Sequence, residues 1–250
     1  MKQRNLCTTH NEALTIMKTI ILKTVKTWVY LAAVVVVTAT GCTQQKTVEG
    51  VTAAQMDSVS YLIGVNYGKH LKETNLDQLC LKAVMQGVQD ELNNKEPRFQ
   101  MDSTQYETMV KDFKLKSNVQ AGKKFFENNK KQDGVVELPD GLQYKILTEG
   151  TGATPAAEDT VEVHYKGVLL DGREFDSSYK RNSTSKFALN RVIKGWTEGF
   201  QYLKEGSKAI LYIPSDLAYG ERQRGPMISP GSTLIFEVEL FKVMKVVPVE

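Results

Sequence analysis

The stretch Val161-Glu-Val-His-Tyr-Lys-Gly-Val-Leu-Leu-Asp-Gly172 decides the fold. Its first five residues alternate: Val161, Val163 and Tyr165 share one face, Glu162 and His164 the other. A period of two marks a strand with one face against a core, and Asp171-Gly172 supplies a turn after it. The alternation recurs in Leu142-Gln-Tyr-Lys-Ile-Leu147, Lys208-Ala-Ile-Leu-Tyr-Ile213 and Thr233-Leu-Ile-Phe-Glu-Val-Glu-Leu-Phe-Lys-Val243. Another turn pair, Asp140-Gly141, precedes the first of these. One short helical stretch, Val192-Ile-Lys-Gly-Trp-Thr-Glu-Gly-Phe-Gln-Tyr-Leu203, would turn Trp196, Phe200 and Leu203 toward the sheet. Residues 134–250 are therefore expected to form an α+β body, a mostly antiparallel sheet with one helix covering a face.

Upstream of Gly134 the period lengthens to that of a helix. Thr52 and Gln55 have capping-box spacing, and Met56, Val59, Ile63, Tyr67 and Leu71 follow as an apolar stripe. A second helix is expected from Asn75, carrying Leu76, Cys80, Val84 and Val88 and stopped by Asn93-Asn94-Lys95-Glu96-Pro97. A third runs from Asp102 to Lys131, with apolar residues that thin out after Phe113 and charges that dominate until Phe125-Phe126. So polar a middle section predicts a solvated strut between bodies. Residues 52–133 thus read as an all-α domain with a long connecting helix. Two short amphipathic helices bury little alone, which predicts packing against a partner chain.

The first 41 residues read as an export signal. Lys18, Lys23 and Lys26 precede an apolar run, Trp28 to Ala39, of about 12 residues, where a spanning helix takes about 20. The run ends in Gly41-Cys42, which resembles a bacterial lipobox, so Cys42 is expected to carry a lipid. Polar residues 42–51 then form a tether. The net charge of +3 belongs to this leader, which holds five of the 32 basic residues and one of the 29 acidic ones. The remainder has 27 basic against 28 acidic residues, no surplus with which to neutralise nucleic-acid phosphates. A hydrophobic fraction of 41% with 24% charged residues excludes a wholly disordered chain and a polytopic membrane protein. With Cys7 and Cys42 in the leader and its junction, Cys80 is expected as a small buried apolar side chain. His70 and His164 offer neither metal-ligand spacing nor a Ser/His/Asp order, and no metal or cofactor is expected.

Four strings give a more specific reading: Val163-His-Tyr-Lys-Gly-Val-Leu-Leu-Asp-Gly-Arg-Glu-Phe-Asp-Ser-Ser178, Val192-Ile-Lys-Gly-Trp196, Ala218-Tyr-Gly220 and Leu234-Ile-Phe-Glu-Val-Glu-Leu240. In this order and spacing they resemble the FKBP-type peptidyl-prolyl cis-trans isomerases, as does Gly141-Leu-Gln-Tyr-Lys-Ile-Leu147. The resemblance covers about residues 140–245, and the helical half is similar in arrangement to the dimerisation region of Mip-type and periplasmic members. It implies an antiparallel sheet wrapped around a short helix, with a proline ring held between them.

Carried over position by position, the resemblance implies Tyr165, Phe175 and Phe236 as pocket walls, with Phe187 on the adjoining strand and Trp196 as floor. Val192 and Ile193 would line the entrance to the helix, the Ile193 N–H holding a substrate carbonyl. Asp176 and Tyr219 would form a polar rim, and Met227 and Ile228 an overhanging loop. Tyr165, Asp176 and Tyr219 are the expected catalytic groups; the alternative for Asp176, a turn cap or a partner for Arg181, is the weaker reading. Ser185 stands where the family has a bulky residue, and the loop 221–230 brings Arg222 and Arg224 near the pocket. Preference among substrates and affinity for macrolide inhibitors depend on these departures. With the leader and Cys42, the expectation is an exported, lipid-anchored bacterial protein at the outer membrane, facing the periplasm. It would be a homodimer through residues 52–131 and act on proline-containing unfolded or folding polypeptides. The alternative is a chaperone-like binding module for unfolded chains, with weak or no isomerase activity.

Overall fold

Val161, Val163 and Tyr165 share one buried face, around which the computed structural model, describing residues 49–246, builds a seven-stranded sheet. Its strands are β1 (Val135–Glu137), β2 (Gln143–Thr148), β3 (Thr160–Leu169), β4 (Glu174–Ser177), β5 (Ser185–Ala188), β6 (Lys208–Ile213) and β7 (Leu234–Met244). The order is β1-β2-β6-β7-β3-β4, with β5 also on β3, and every pairing is antiparallel. Strands β5 and β4 share one edge of β3 in succession, β5 along Thr160–Val163 and β4 along Lys166–Val168. At the step between them Ser178 substitutes for a strand partner. Its N–H donates to the Tyr165 carbonyl at 3.0 Å, and its Oγ accepts from the Tyr165 N–H at 2.8 Å.

The buried face is filled by Val161, Val163, Leu211, Ile213, Leu234, Val238 and Leu240, which alternate along β3, β6 and β7 as a period of two requires. Helix α4 (Lys194–Gly199) lies against it and presents Trp196, followed by Phe200 and Leu203, all buried. Removing each such side chain from water stabilises the fold by about 1.5–3 kcal/mol. The helix comes this close because position 195 is glycine: a Cβ there would sit 2.4 Å from Ile213 Cγ2.

The helical part contains α1 (Ala53–Glu73), α2 (Leu81–Leu92) and α3 (Ser103–Asn129). Thr52 and Gln55 form the capping box: Gln55 N–H donates to Thr52 Oγ1 at 3.2 Å, and Thr52 N–H to Gln55 Oε1 at 2.9 Å. Helix α2 starts six residues later than its pattern suggests, at Leu81. Asn75, the expected start, adopts the left-handed region with φ 56°. Its side chain donates to Ser229 Oγ at 2.9 Å and accepts from Arg173. Cys80 is the half-buried N-cap of α2, not the fully buried side chain expected from its neighbours. The leader with Cys7 and the lipidation candidate Cys42 lies outside the described residues.

The chain divides into two compact units. Among the described residues, 49–72 and Asp77–Gln100 form one, and Glu73–Leu76 with 101–246 the other. Helix α3 thus belongs with the sheet, and its second half is not a solvated strut. Asn118 Nδ2 donates to the Pro230 carbonyl at 2.8 Å, and Phe125 meets Tyr212 at 5.7 Å between ring centroids. Gln143, fully buried, donates to the Phe126 carbonyl at 3.0 Å and accepts from Asn129 at 2.9 Å.

Candidate functional site

Strands β3, β4, β5 and β7, helix α4 and the loop around 219–228 enclose an open cavity of about 830 Å3. Trp196 is its hub, only 4% exposed. The rings of Tyr165, Phe187 and Phe236 meet it edge-on at centroid distances of 5.3, 5.1 and 5.1 Å. Phe175 extends the wall by an edge-to-face contact with Phe236 at 5.4 Å and 86°. Strand register explains the wall. Gly167 pairs with Phe236 on one side of β3 and Asp176 on the other, and the rings of Phe175 and Phe236 close over its missing side chain.

One edge of the cup is a polar triad. Tyr165 donates its hydroxyl proton to Asp176 Oδ2 at 2.6 Å, while Arg181 donates to Asp176 Oδ1 and to the Tyr165 oxygen, both at 2.8 Å. Burial pushes the Asp176 carboxyl up, but the hydrogen bonds from Tyr165 and Arg181 and the guanidinium charge outweigh it. The carboxyl is held below the usual range, so Asp176 is ionised at neutral pH. Burial, reinforced by the Asp176 hydrogen bond, raises the Tyr165 hydroxyl above its ordinary value. Tyr165 is therefore a neutral hydrogen-bonding group.

Other polar groups at the rim are uncommitted. Among the described residues neither the Tyr219 hydroxyl nor the Ile193 N–H has a hydrogen-bond acceptor. Ile193 is the N-cap of α4, with φ −63° and ψ 146°, a position whose geometry leaves amides of the first turn unpaired. The loop carrying Met227 and Ile228 is closed by the backbone pair Arg224 and Ile228, with N···O distances of 2.9 and 3.4 Å.

Every pocket residue nominated from the sequence lines this one cavity: Tyr165, Phe175, Asp176, Phe187, Val192, Ile193, Trp196, Tyr219, Met227, Ile228 and Phe236. Arg224 joins them, whereas Arg222 and Ser185 do not; Ser185 pairs with Val163 in the sheet. Arg191 and Lys194 also line the cavity, and no sequence pattern marks them. The sequence names Arg181 as a partner for Asp176, and the structure pairs them; its second bond, to Tyr165, depends on the turn after β4. The Asp176–Arg181 spacing was the one available signal.

Comparison with known proteins agrees with this geometry. The family model described as FKBP-type peptidyl-prolyl cis-trans isomerase matches residues 152–241. The domain described as amino terminal to FKBP-type peptidyl-prolyl isomerase matches 56–146. The FKBP-type 22 kDa peptidyl-prolyl cis-trans isomerase of Escherichia coli is 39% identical over 193 residues, 74% of this chain and 94% of that protein. A protein of Legionella longbeachae named outer membrane protein MIP is 38% identical over 200 residues, 76% of this chain and 86% of that protein. The crystal structure of FkpA from Escherichia coli superposes with a TM-score of 0.53 at 34% identity, covering 77% of this chain and 97% of that one.

Proposed function

The chain belongs to the FKBP-type peptidyl-prolyl cis-trans isomerases, and from that premise we propose how its cavity turns an X–Pro bond. The reaction rotates a tertiary amide through a barrier of about 18–20 kcal/mol, and unaided it takes tens to hundreds of seconds. No bond is made or broken, so no nucleophile is needed. What lowers the barrier is tighter binding of the twisted amide than of either planar form.

The prolyl ring lies on Trp196, walled by Tyr165, Phe175, Phe187 and Phe236, with Val192 at the helix entrance and Met227 and Ile228 overhead. The Ile193 N–H and the Tyr219 hydroxyl donate to carbonyls of the bound segment and fix one end while the other turns. Asp176, ionised and held by Arg181 and Tyr165, orients the polar edge and abstracts no proton. The observation that carries this reading is the pair of uncommitted donors at the rim of an aromatic cup.

The test is isomerisation of a proline tetrapeptide by the full chain, alone and with Tyr219→Phe and Asp176→Val together. Losing oriented hydrogen bonds of about 1–2 kcal/mol predicts a drop of about tenfold or more. A folded protein that does not accelerate the peptide refutes the mechanism.

The helical half supports assembly as a homodimer through residues 52–131. Tyr61, Leu62, Ile63, Leu81, Met85 and Leu92 of α1 and α2 are all exposed in the single chain, large apolar side chains for a partner chain to cover. Sedimentation that finds a monomer would retire this assembly and the alternative use of the helices as a cradle for unfolded chains. Export as a lipoprotein anchored at Cys42, with the isomerase facing the periplasm, rests on the leader's pattern. No helix of the described residues is long and apolar enough to cross a membrane. Fatty-acid labelling that survives Cys42→Ala would rule the anchor out.

A further inference from the structure

The charges lining the cavity do not balance. Asp176 is its one acidic residue, and it is already satisfied by Arg181 and Tyr165. Against it stand three cations, Arg191, Lys194 and Arg224. All three are exposed, and among the described residues none forms an ion pair. They sit at two places on the rim. Arg191 and Lys194 bracket Val192 and Ile193 at the start of α4. Arg224 lies on the overhanging loop, anchored through its backbone to Ile228, with its guanidinium carbon 5.9 Å from the Tyr219 ring centroid.

A polypeptide with its prolyl ring on Trp196 must enter and leave across this rim. A carboxylate beside the proline meets cations that lack a counter-charge, and an ammonium group meets repulsion. Apolar walls next to those cations keep water back and focus their field into the cavity. We propose that Arg191, Lys194 and Arg224 make this isomerase select X–Pro segments that carry aspartate or glutamate beside the proline. The inference rests on the isomerase reading of the same cavity.

An exposed ion pair changes an equilibrium by about 1.5- to 5-fold. With attraction of one charge and repulsion of the other, kcat/KM for a glutamate peptide should exceed that for its lysine counterpart by about three- to tenfold. The experiment uses the full chain and two tetrapeptide series with Glu, Ala or Lys, one varied before the proline and one after. Rates are read by NMR exchange, so that no coupling protease adds a preference of its own. The Glu-to-Lys ratio should fall toward one in about 1 M salt, where screening acts within about 3 Å. It should fall or invert in Arg224→Glu for one series and in Arg191→Glu/Lys194→Glu for the other. Because the ratio is taken within each variant, partial loss of folded protein cancels. A ratio of one in the unaltered chain, or a preference untouched by salt and by both variants, overturns the inference and leaves the isomerase reading standing. Failure to turn over any peptide removes both.

Discussion

Replacing Gly167 by alanine tests the strand and the pocket wall together. Elsewhere in a strand this change stabilises by about 0.5–1 kcal/mol, because glycine loses more freedom on folding. At this position the new Cβ would lie 2.5 Å from Phe175 Cζ, 2.7 Å from Phe175 Cε2 and 2.9 Å from Phe236 Cε1. Carbon atoms pack at about 3.5–4.0 Å, so the rings must retreat by roughly 1 Å. Phe236 is pinned, since it is buried and meets Trp196 at 5.1 Å. Phe175 is only half-buried and yields first, giving up its edge-to-face contact with Phe236. Overpacking of this kind costs about 1–3 kcal/mol, which outweighs the usual gain and leaves a net loss of about 1–2 kcal/mol. Activity should suffer more than stability, because a wall misplaced by about 1 Å can cost about a hundredfold in rate. Urea denaturation and peptide exchange measure the two effects. In a Phe175→Ala background two of the three close contacts are gone and only the one to Phe236 remains, so Gly167→Ala should there cost about 1–2 kcal/mol less than in the parent. A Gly167→Ala protein as stable and active as its parent, or a cycle with no coupling, would refute the close packing of the wall.

Two pH experiments follow from the carboxylates. Arg181→Met removes a hydrogen bond and a charge that depress Asp176, so the carboxyl should protonate at higher pH and the acid limb of kcat/KM should move up with it. An acid limb unmoved by Arg181→Met would show that Asp176 ionisation does not limit the enzyme. Glu198 on α4 shares a hydrogen bond with Asp140, which together with burial pushes its carboxyl from 4.5 up to about 7. An acid raised on folding holds its proton longer in the native state, so its contribution to stability is present below about 4.5 and lost as pH rises toward 7. Glu198→Gln should therefore stabilise at pH 8 by a few tenths to about 1 kcal/mol after solvent screening, with no gain at pH 4. Equal effects at both values would exclude this pair as the cause.

The sheet is legible because it follows from local periods, and the residues of the cup because their strings resemble the family's. Once Val161, Val163 and Tyr165 take one face of β3 and Trp196 takes the inner side of a short helix, the aromatic residues have one place to meet. What the chain order hid depends on partners distant in sequence and on polar side chains. Asn75 breaks the helical pattern because Arg173 and Ser229, about a hundred residues or more downstream, hold it in a left-handed conformation that asparagine tolerates. The middle of α3 reads as solvated because it is charged and hydropathy counts only apolar surface. Its attachment runs through Asn118, Asn129 and the buried Gln143, whose amides complete hydrogen bonds that an apolar side chain could not make. The same blindness covers the rim: Arg181 and Arg191 end short 3-10 turns and Lys194 opens α4, none of them marked by an apolar period, and only the folded chain sets them against the cup. Periodicity thus reports the sheet and the helix that frame the cup, whereas charges at the rim, which no period marks, govern which chain can enter it. The acidic-peptide series and the Gly167 cycle therefore probe independent properties of one cavity, its rim and its wall.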